Sequence, residues 1–92
     1  MTITGTVEHI GTVETKGTFV KRELIVNVAG QYPQSILVEF QQGNCALLEN
    51  LQVNQEIEVG IDLRGRKWTN PEGVDKWFNT IVGFKITNKS NF

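Results

Sequence analysis

The sequence predicts a small all-β protein, a five-stranded barrel with one short helix between the third and fourth strands. Three observations point there. Val, Ile, Thr and aromatic residues fill runs separated by glycine-, proline- and asparagine-rich breaks. Within those runs apolar and polar residues alternate with the period of two that a half-buried strand requires. Only one stretch, after Gly43, carries apolar residues at helical spacing. The 92 residues suffice for one domain, near the lower limit for a core without staples.

Taken in order, Thr2 to Val13 reads as a first strand, interrupted by Gly5 and Gly11, which suit a long strand that bends or bulges. Glu14-Thr15-Lys16-Gly17 reads as a turn. The second strand, Phe19 to Val28, sets Val20, Leu24, Val26 and Val28 on one face and Phe19, Lys21 and Glu23 on the other. Arg22 falls on the apolar face, which implies a rim position or a local bulge. Ala29 to Pro33 breaks the chain, and the third strand, Gln34 to Gln41, alternates through Ile36, Val38 and Phe40. Asn44 is the expected N-cap of the helix, with Leu47, Leu48 and Leu51 as its apolar side. The fourth strand, Glu56 to Lys67, points Ile57, Val59, Ile61 and Leu63 inward. Thr69 to Gly73 is a turn-rich loop. The fifth strand, Trp77 to Ile86, is expected to bury Phe78, Thr80, Val82, Phe84 and Ile86 and to leave Trp77 and Asn79 outside.

This is the element order of an OB-fold, in which the outer face of the second and third strands, with the loops joining strands one to two and four to five, takes oligonucleotides or oligosaccharides. Here the first of those loops holds Lys16, and the second holds Lys67, Trp68 and Lys76. In strict alternation Arg64, Arg66 and Trp68 form a row on one outer surface, and Lys76-Trp77-Phe78 follows. Guanidiniums pair with phosphates and indoles stack on bases, the combination that a single strand of nucleic acid needs. The net charge is only -1, but the charges are segregated. Lys16, Lys21 and Arg22 lie in a stretch without acids, while Glu49, Glu56, Glu58 and Asp62 gather elsewhere. The candidate contacts are Lys16, Phe19, Lys21, Arg22, Tyr32, Arg64, Arg66, Lys67, Trp68, Lys76 and Trp77. Of these, Trp68, Trp77 and Phe19 are candidates for stacking, and the cationic residues for phosphate. Tyr32 is either a further platform or a lid over the barrel end.

Other classes find little in the sequence. The single cysteine, Cys45, rules out an internal disulfide and lies in an apolar run, as a small buried filler would. His9, the only histidine, has no partner that spacing identifies, no carboxylate pair is placed for acid–base work, and Arg64-Gly65-Arg66 is not a phosphate loop. No signal-peptide pattern opens the chain and no apolar run approaches the ~18 residues of a membrane span, so a cytoplasmic protein without cofactor or metal is expected.

The chain also resembles the short single-domain OB-fold proteins of bacteria and their phages that are grouped with single-stranded-DNA-binding proteins, most of them classed as domains of unknown function. The residues that carry the resemblance are Phe19 to Glu23, Gln31 to Gln34, Leu63 to Gly73 and Trp77 to Thr80, spread over residues 2–86. It implies a domain over residues 1–86 with a short polar tail, 87–92. It further implies a non-enzymatic, largely sequence-independent protein that coats or protects single-stranded DNA in replication, recombination or repair. The setting it implies is a bacterial cell or a phage-infected host. One small barrel covers few nucleotides, so a homo-oligomer is expected; RNA as a ligand, and replication or repair proteins as partners, stay open. Single-strand-binding proteins typically end in an acidic tail closed by Pro-Phe. This sequence ends in Phe92 after Asn88-Lys89-Ser90-Asn91, which has no acid, so recruitment through a tail is not expected. The rival readings are an OB-fold module that binds protein, and an oligosaccharide binder, which would need no basic rim.

Overall fold

Alternation builds the core. Leu24 and Val26 on one strand, Val38 and Phe40 on the next, and Ile57, Val59 and Ile61 on a third all turn inward, and with Val7 and Leu48 they are essentially sealed from solvent. The computed structural model describes residues 1–90. In it these side chains fill a barrel made from β1 (Thr2–Ile10), β2 (Glu14–Lys16), β3 (Phe19–Val28), β4 (Gln34–Gln41), β5 (Glu56–Thr69) and β6 (Asp75–Asn88). The order around the sheet is β1-β5-β6-β4-β3-β2, and β1 also pairs with β3, so five strands close a ring while β2 flanks it.

β1 closes the ring by serving two neighbours. Its first half pairs with β5 and its second half with β3, with a register shift between Val7 and His9. The loop before β5 satisfies the backbone that the shift frees, because Val7 N–H donates to the Gln55 carbonyl at 2.9 Å and Asn54 N–H to the Val7 carbonyl at 2.7 Å. At the crossing only Gly5 fits, since a Cβ there would overlap the Asn27 carbonyl and Val26 of β3. The strand ends at Ile10, short of the expected Val13. The stretch anticipated as a turn instead forms β2, whose Glu14, Thr15 and Lys16 pair with Lys21, Val20 and Phe19.

Between β4 and β5 the helix is a 3₁₀ segment, Gln42–Leu48, with Gln41 rather than Asn44 at its cap position. Three residues per turn bring Cys45 and Leu48 onto the same inward line, followed by the half-buried Leu51. Leu47, expected inside on an α-helical period, is therefore turned to solvent.

The largest departure from simple alternation is in β6. Its pairing with β5 runs Val59 to Ile86 and Gly60 to Lys85, then jumps from Ile61 to Gly83. Phe84 is the extra residue of a bulge. It is half exposed and its ring lies over Gly60, contrary to the expected burial. The extra residue reverses the phase of everything before it. Gly83 faces inward beneath the buried Phe40 ring, where a Cβ would overlap ring atoms, and Thr80 and Phe78 turn to the outer side, while Val82 on that same side stays buried as expected.

Beyond Asp62 and Val82 the two strands leave the barrel as a twisted ribbon. Residues 62–69 are all exposed, as are 75–79, so Leu63, expected in the core, is 63% exposed. At about 3.4 Å per residue the ribbon reaches roughly 24 Å, in a molecule measuring 53 × 35 × 19 Å. The C-terminal end is held more firmly than a loose tail from Thr87 would be. β6 continues to Asn88, Lys89 N–H donates to the Glu56 carbonyl at 2.8 Å, and Glu56 N–H donates to Ser90 Oγ at 2.7 Å. Phe92, and the expectation attached to it, lies outside the described residues.

Candidate nucleic-acid interface

The outer faces of β3, β4, β6 and the ribbon meet in one groove. On β3, Phe19 and Lys21 point away from the core, opposite to Leu24 and Val26. On β4, Glu39 and Gln41 do the same, alternating with the buried Val38 and Phe40. The only β4–β6 bridge, a parallel one, joins Glu39 to Val82. On the ribbon, Arg64 is opposed to Thr80 and Arg66 to Phe78. Directly opposed residues share a face, so these side chains look onto the same space.

That space consists of three adjoining hollows, of about 360, 440 and 570 Å³. The middle one is walled by Phe19, Arg64, Arg66, Phe78 and Val82, with Glu39 and Gln41 beneath. Toward β2 the next is walled by Lys16, Phe19, Lys21 and Arg66. The third opens where β4 and β6 diverge, between Leu37 and Ile81.

The electrostatics of the floor are mixed. Lys21 Nζ stands 3.7 Å from Glu39, 3.8 Å from Glu14 and 4.0 Å from Glu23. One ammonium thus faces three carboxylates. Arg64 reaches Asp62 at 3.9 Å and the Gln41 side-chain oxygen at 3.5 Å, while Gln41 donates to Glu39 Oε2 at 2.6 Å. Arg66 makes no ion pair among the described residues; its guanidinium lies over the Phe78 ring. Like Arg66, Lys16 and Lys76 make no ion pair among the described residues and are open to an incoming anion, and the exposed Arg64–Asp62 pair holds Arg64 only weakly.

Of the eleven residues singled out from the sequence, the fold gathers Lys16, Phe19, Lys21, Arg64 and Arg66 around the groove. Trp68 and its opposed partner Lys76 continue the Arg64–Arg66 row toward the ribbon tip. Lys67 and Trp77 oppose one another on the reverse face; Lys67 reaches Asp75 at 3.6 Å, and Trp77 is 70% exposed. Tyr32 is exposed in the β3–β4 turn, at the other end of the ladder from the Lys21–Gln41 pair. Arg22 occupies the rim position that alternation implied. Its Nε donates to the Gly11 carbonyl at 2.7 Å and Nη1 to Glu49 at 3.3 Å, on the side of β3 away from Phe19.

Phe78, Glu39 and Gln41 also line the groove. Simple alternation assigns Phe78 to the core, although Gly83 within a strand pattern is the kind of residue that marks a bulge. Glu39 and Gln41 carry no cationic or aromatic signal and are recognised only once β4 is seen at the groove floor. Cys45 is buried in the 3₁₀ segment with its thiol directed to the Phe40 carbonyl at 3.3 Å, and burial pushes its pKa up. Among the described residues no group of His, Cys, Asp and Glu could hold a metal ion, and no helix is long and apolar enough to cross a membrane.

A closed five-strand ring, a short helix after the third ring strand and a groove across its outer face define an OB-fold protein. Two solved structures share the architecture. One is a crystal structure of the mitochondrial single-stranded DNA binding protein Rim1 from S. cerevisiae, 14% identical, with a TM-score of 0.76 over 100% of this chain and 95% of that one. The other is selenomethionine-labelled Rim1, 15% identical, with a TM-score of 0.56 and the same coverage. At such identities the likeness is one of fold. The chain belongs to the DUF3127 family, a domain of unknown function, which it matches over residues 2–87. No curated protein matches it.

Proposed function

We propose that this protein binds single-stranded DNA along the groove, without catalysis and with little dependence on sequence, and so coats or protects the strand during replication, recombination or repair. The observation that carries the reading is the meeting of two rings, Phe19 and Phe78, with two guanidiniums, Arg64 and Arg66, around one hollow on the outer face of the barrel. Rings accept any base by stacking, guanidiniums take successive phosphates, and an extended ribbon lengthens the track through Trp68 and Lys76. The solved structures of like fold are of a protein named for single-stranded DNA binding, which supports the same reading. An OB groove spans about 4–16 nucleotides, so continuous coating calls for several copies, and a homo-oligomer is part of the proposal. Its setting is the cytoplasm of a bacterial or phage-infected cell.

The test is a titration of a labelled mixed-sequence oligonucleotide at low salt, beside the same sequence as a duplex. The reading expects single-strand binding that weakens with salt. Absence of binding, or equal binding of duplex, would remove it. A second reading, a module that docks a protein, is favoured by the reverse face of the ribbon, where Leu63 and Trp77 stand open to solvent. Substituting both should abolish such docking and leave oligonucleotide affinity in place.

A further inference from the structure

Glu39 is out of place in a groove for a polyanion. It is the one residue that lines all three hollows, and it sits where β4 meets β6, at the centre of the floor. Its side chain is only 17% exposed. A carboxylate there repels phosphate, and Lys21, shared with Glu14 and Glu23, does not neutralise it. Its position is also secured. Gln41 donates to Oε2 at 2.6 Å and is itself approached by Arg64, while Lys21 stands near Oε1. Both oxygens keep lone pairs free, since a carboxylate accepts up to about four hydrogen bonds. The floor therefore presents a fixed pair of acceptors beneath the rings of Phe19 and Phe78.

Unpaired bases stacked on such rings present their Watson–Crick edges for hydrogen bonding. Guanine alone offers two neighbouring donors, N1–H and the N2 amino group, which match the two oxygens of one carboxylate. Thymine has a single N–H between two carbonyls that the carboxylate repels. Adenine and cytosine each set one amino donor beside a ring-nitrogen acceptor. Building on the single-strand reading above, we infer that Glu39 reads guanine at one nucleotide position, adding a local base preference to otherwise sequence-tolerant stacking. The carboxylate accepts both guanine donors, and the phosphates pass on either side of it, toward Arg64 and Arg66 and toward Lys16.

The probes are short oligothymidylates carrying one central dG, dA, dC, dT or deoxyinosine, titrated by anisotropy against the wild-type protein and Glu39→Gln. Deoxyinosine keeps N1–H and lacks the N2 amino group. The wild type should bind the dG probe about tenfold more tightly than the dT probe, in line with one bidentate base contact, with deoxyinosine between them. Glu39→Gln, nearly isosteric and on the groove surface, should bind the dT, dA and dC probes more tightly as the repulsion of phosphate is lifted, while the dG probe loses its contact and the ratio of dG to dT falls toward one. A wild-type protein that binds all five probes alike, or a variant that keeps the dG preference, would overturn the assignment and leave the single-strand reading standing. Failure to bind any probe would remove both. A Glu39 that served only to balance Lys21 would leave the ratio between probes unchanged by the substitution.

Discussion

The guanidinium carbon of Arg66 lies 5.8 Å from the centroid of the Phe78 ring, its directly opposed neighbour across the β5–β6 ladder. At that distance the cation is attracted to the ring face while its N–H groups stay open to solvent. The two residues hold each other on the groove face, and on the proposed reading the guanidinium serves a phosphate and the ring a base.

Phe78→Ala should therefore weaken oligonucleotide binding by about 1–3 kcal/mol, the cost of removing one stacking ring. Trp77→Ala, one residue away on the reverse face, should change affinity little. Fluorescence titration of the two variants with one labelled oligonucleotide checks this, and equal losses would mean that the strand does not follow the groove face.

Arg64→Ala should reduce the dependence of affinity on salt. Each neutralised phosphate contributes about 0.7 to the slope of log K against log salt for single strands, and the variant should lose about that amount. Titrations across a salt series give the slope directly.

Arg22→Ala should act on stability alone. The side chain is mostly buried at the rim and donates to the Gly11 carbonyl, and a hydrogen bond from a charged group is worth about 1.5–3 kcal/mol. Urea denaturation should show a loss of that order, with oligonucleotide affinity kept under folding conditions.

Gly83→Ala should destabilise the barrel by about 1–3 kcal/mol, the usual cost of overpacking a core, because the new methyl group would overlap the Phe40 ring. A second substitution, Phe40→Leu, should recover part of the loss by making room. The urea midpoints of the single and double variants decide it.

Cys45 should react slowly with thiol reagents until the protein unfolds, since it is buried and its thiol is held above its ordinary value of 9.0. The sign follows from the neutral thiol being favoured in the fold. Its contribution to stability is complete below pH 9.0 and is lost as pH rises through the higher folded value. Cys45→Ala should remove that part of the alkaline decline, as melting curves over an alkaline pH series would record.

Much of this protein can be read from its residues alone. Leu24, Val26, Val38, Phe40, Ile57 and Val59 identify themselves as core by alternation, because a strand's side chains change sides at every residue whatever lies across from them. For the same reason Arg64, Arg66 and Trp68 share a face, the ladder from Asp62 to Thr69 being unbroken. Only the assembled barrel decides the rest. One extra residue at Phe84 reverses the phase of β6 and moves Phe78 from core to groove, and the phase on the near side is set by Phe40, whose ring leaves space for Gly83 and nothing larger. Likewise, the three glutamates around Lys21 come from β2, β3 and β4. Alternation is local and survives in the sequence, whereas the number of residues between two pairings and the meeting of separate strands are set by packing across the barrel.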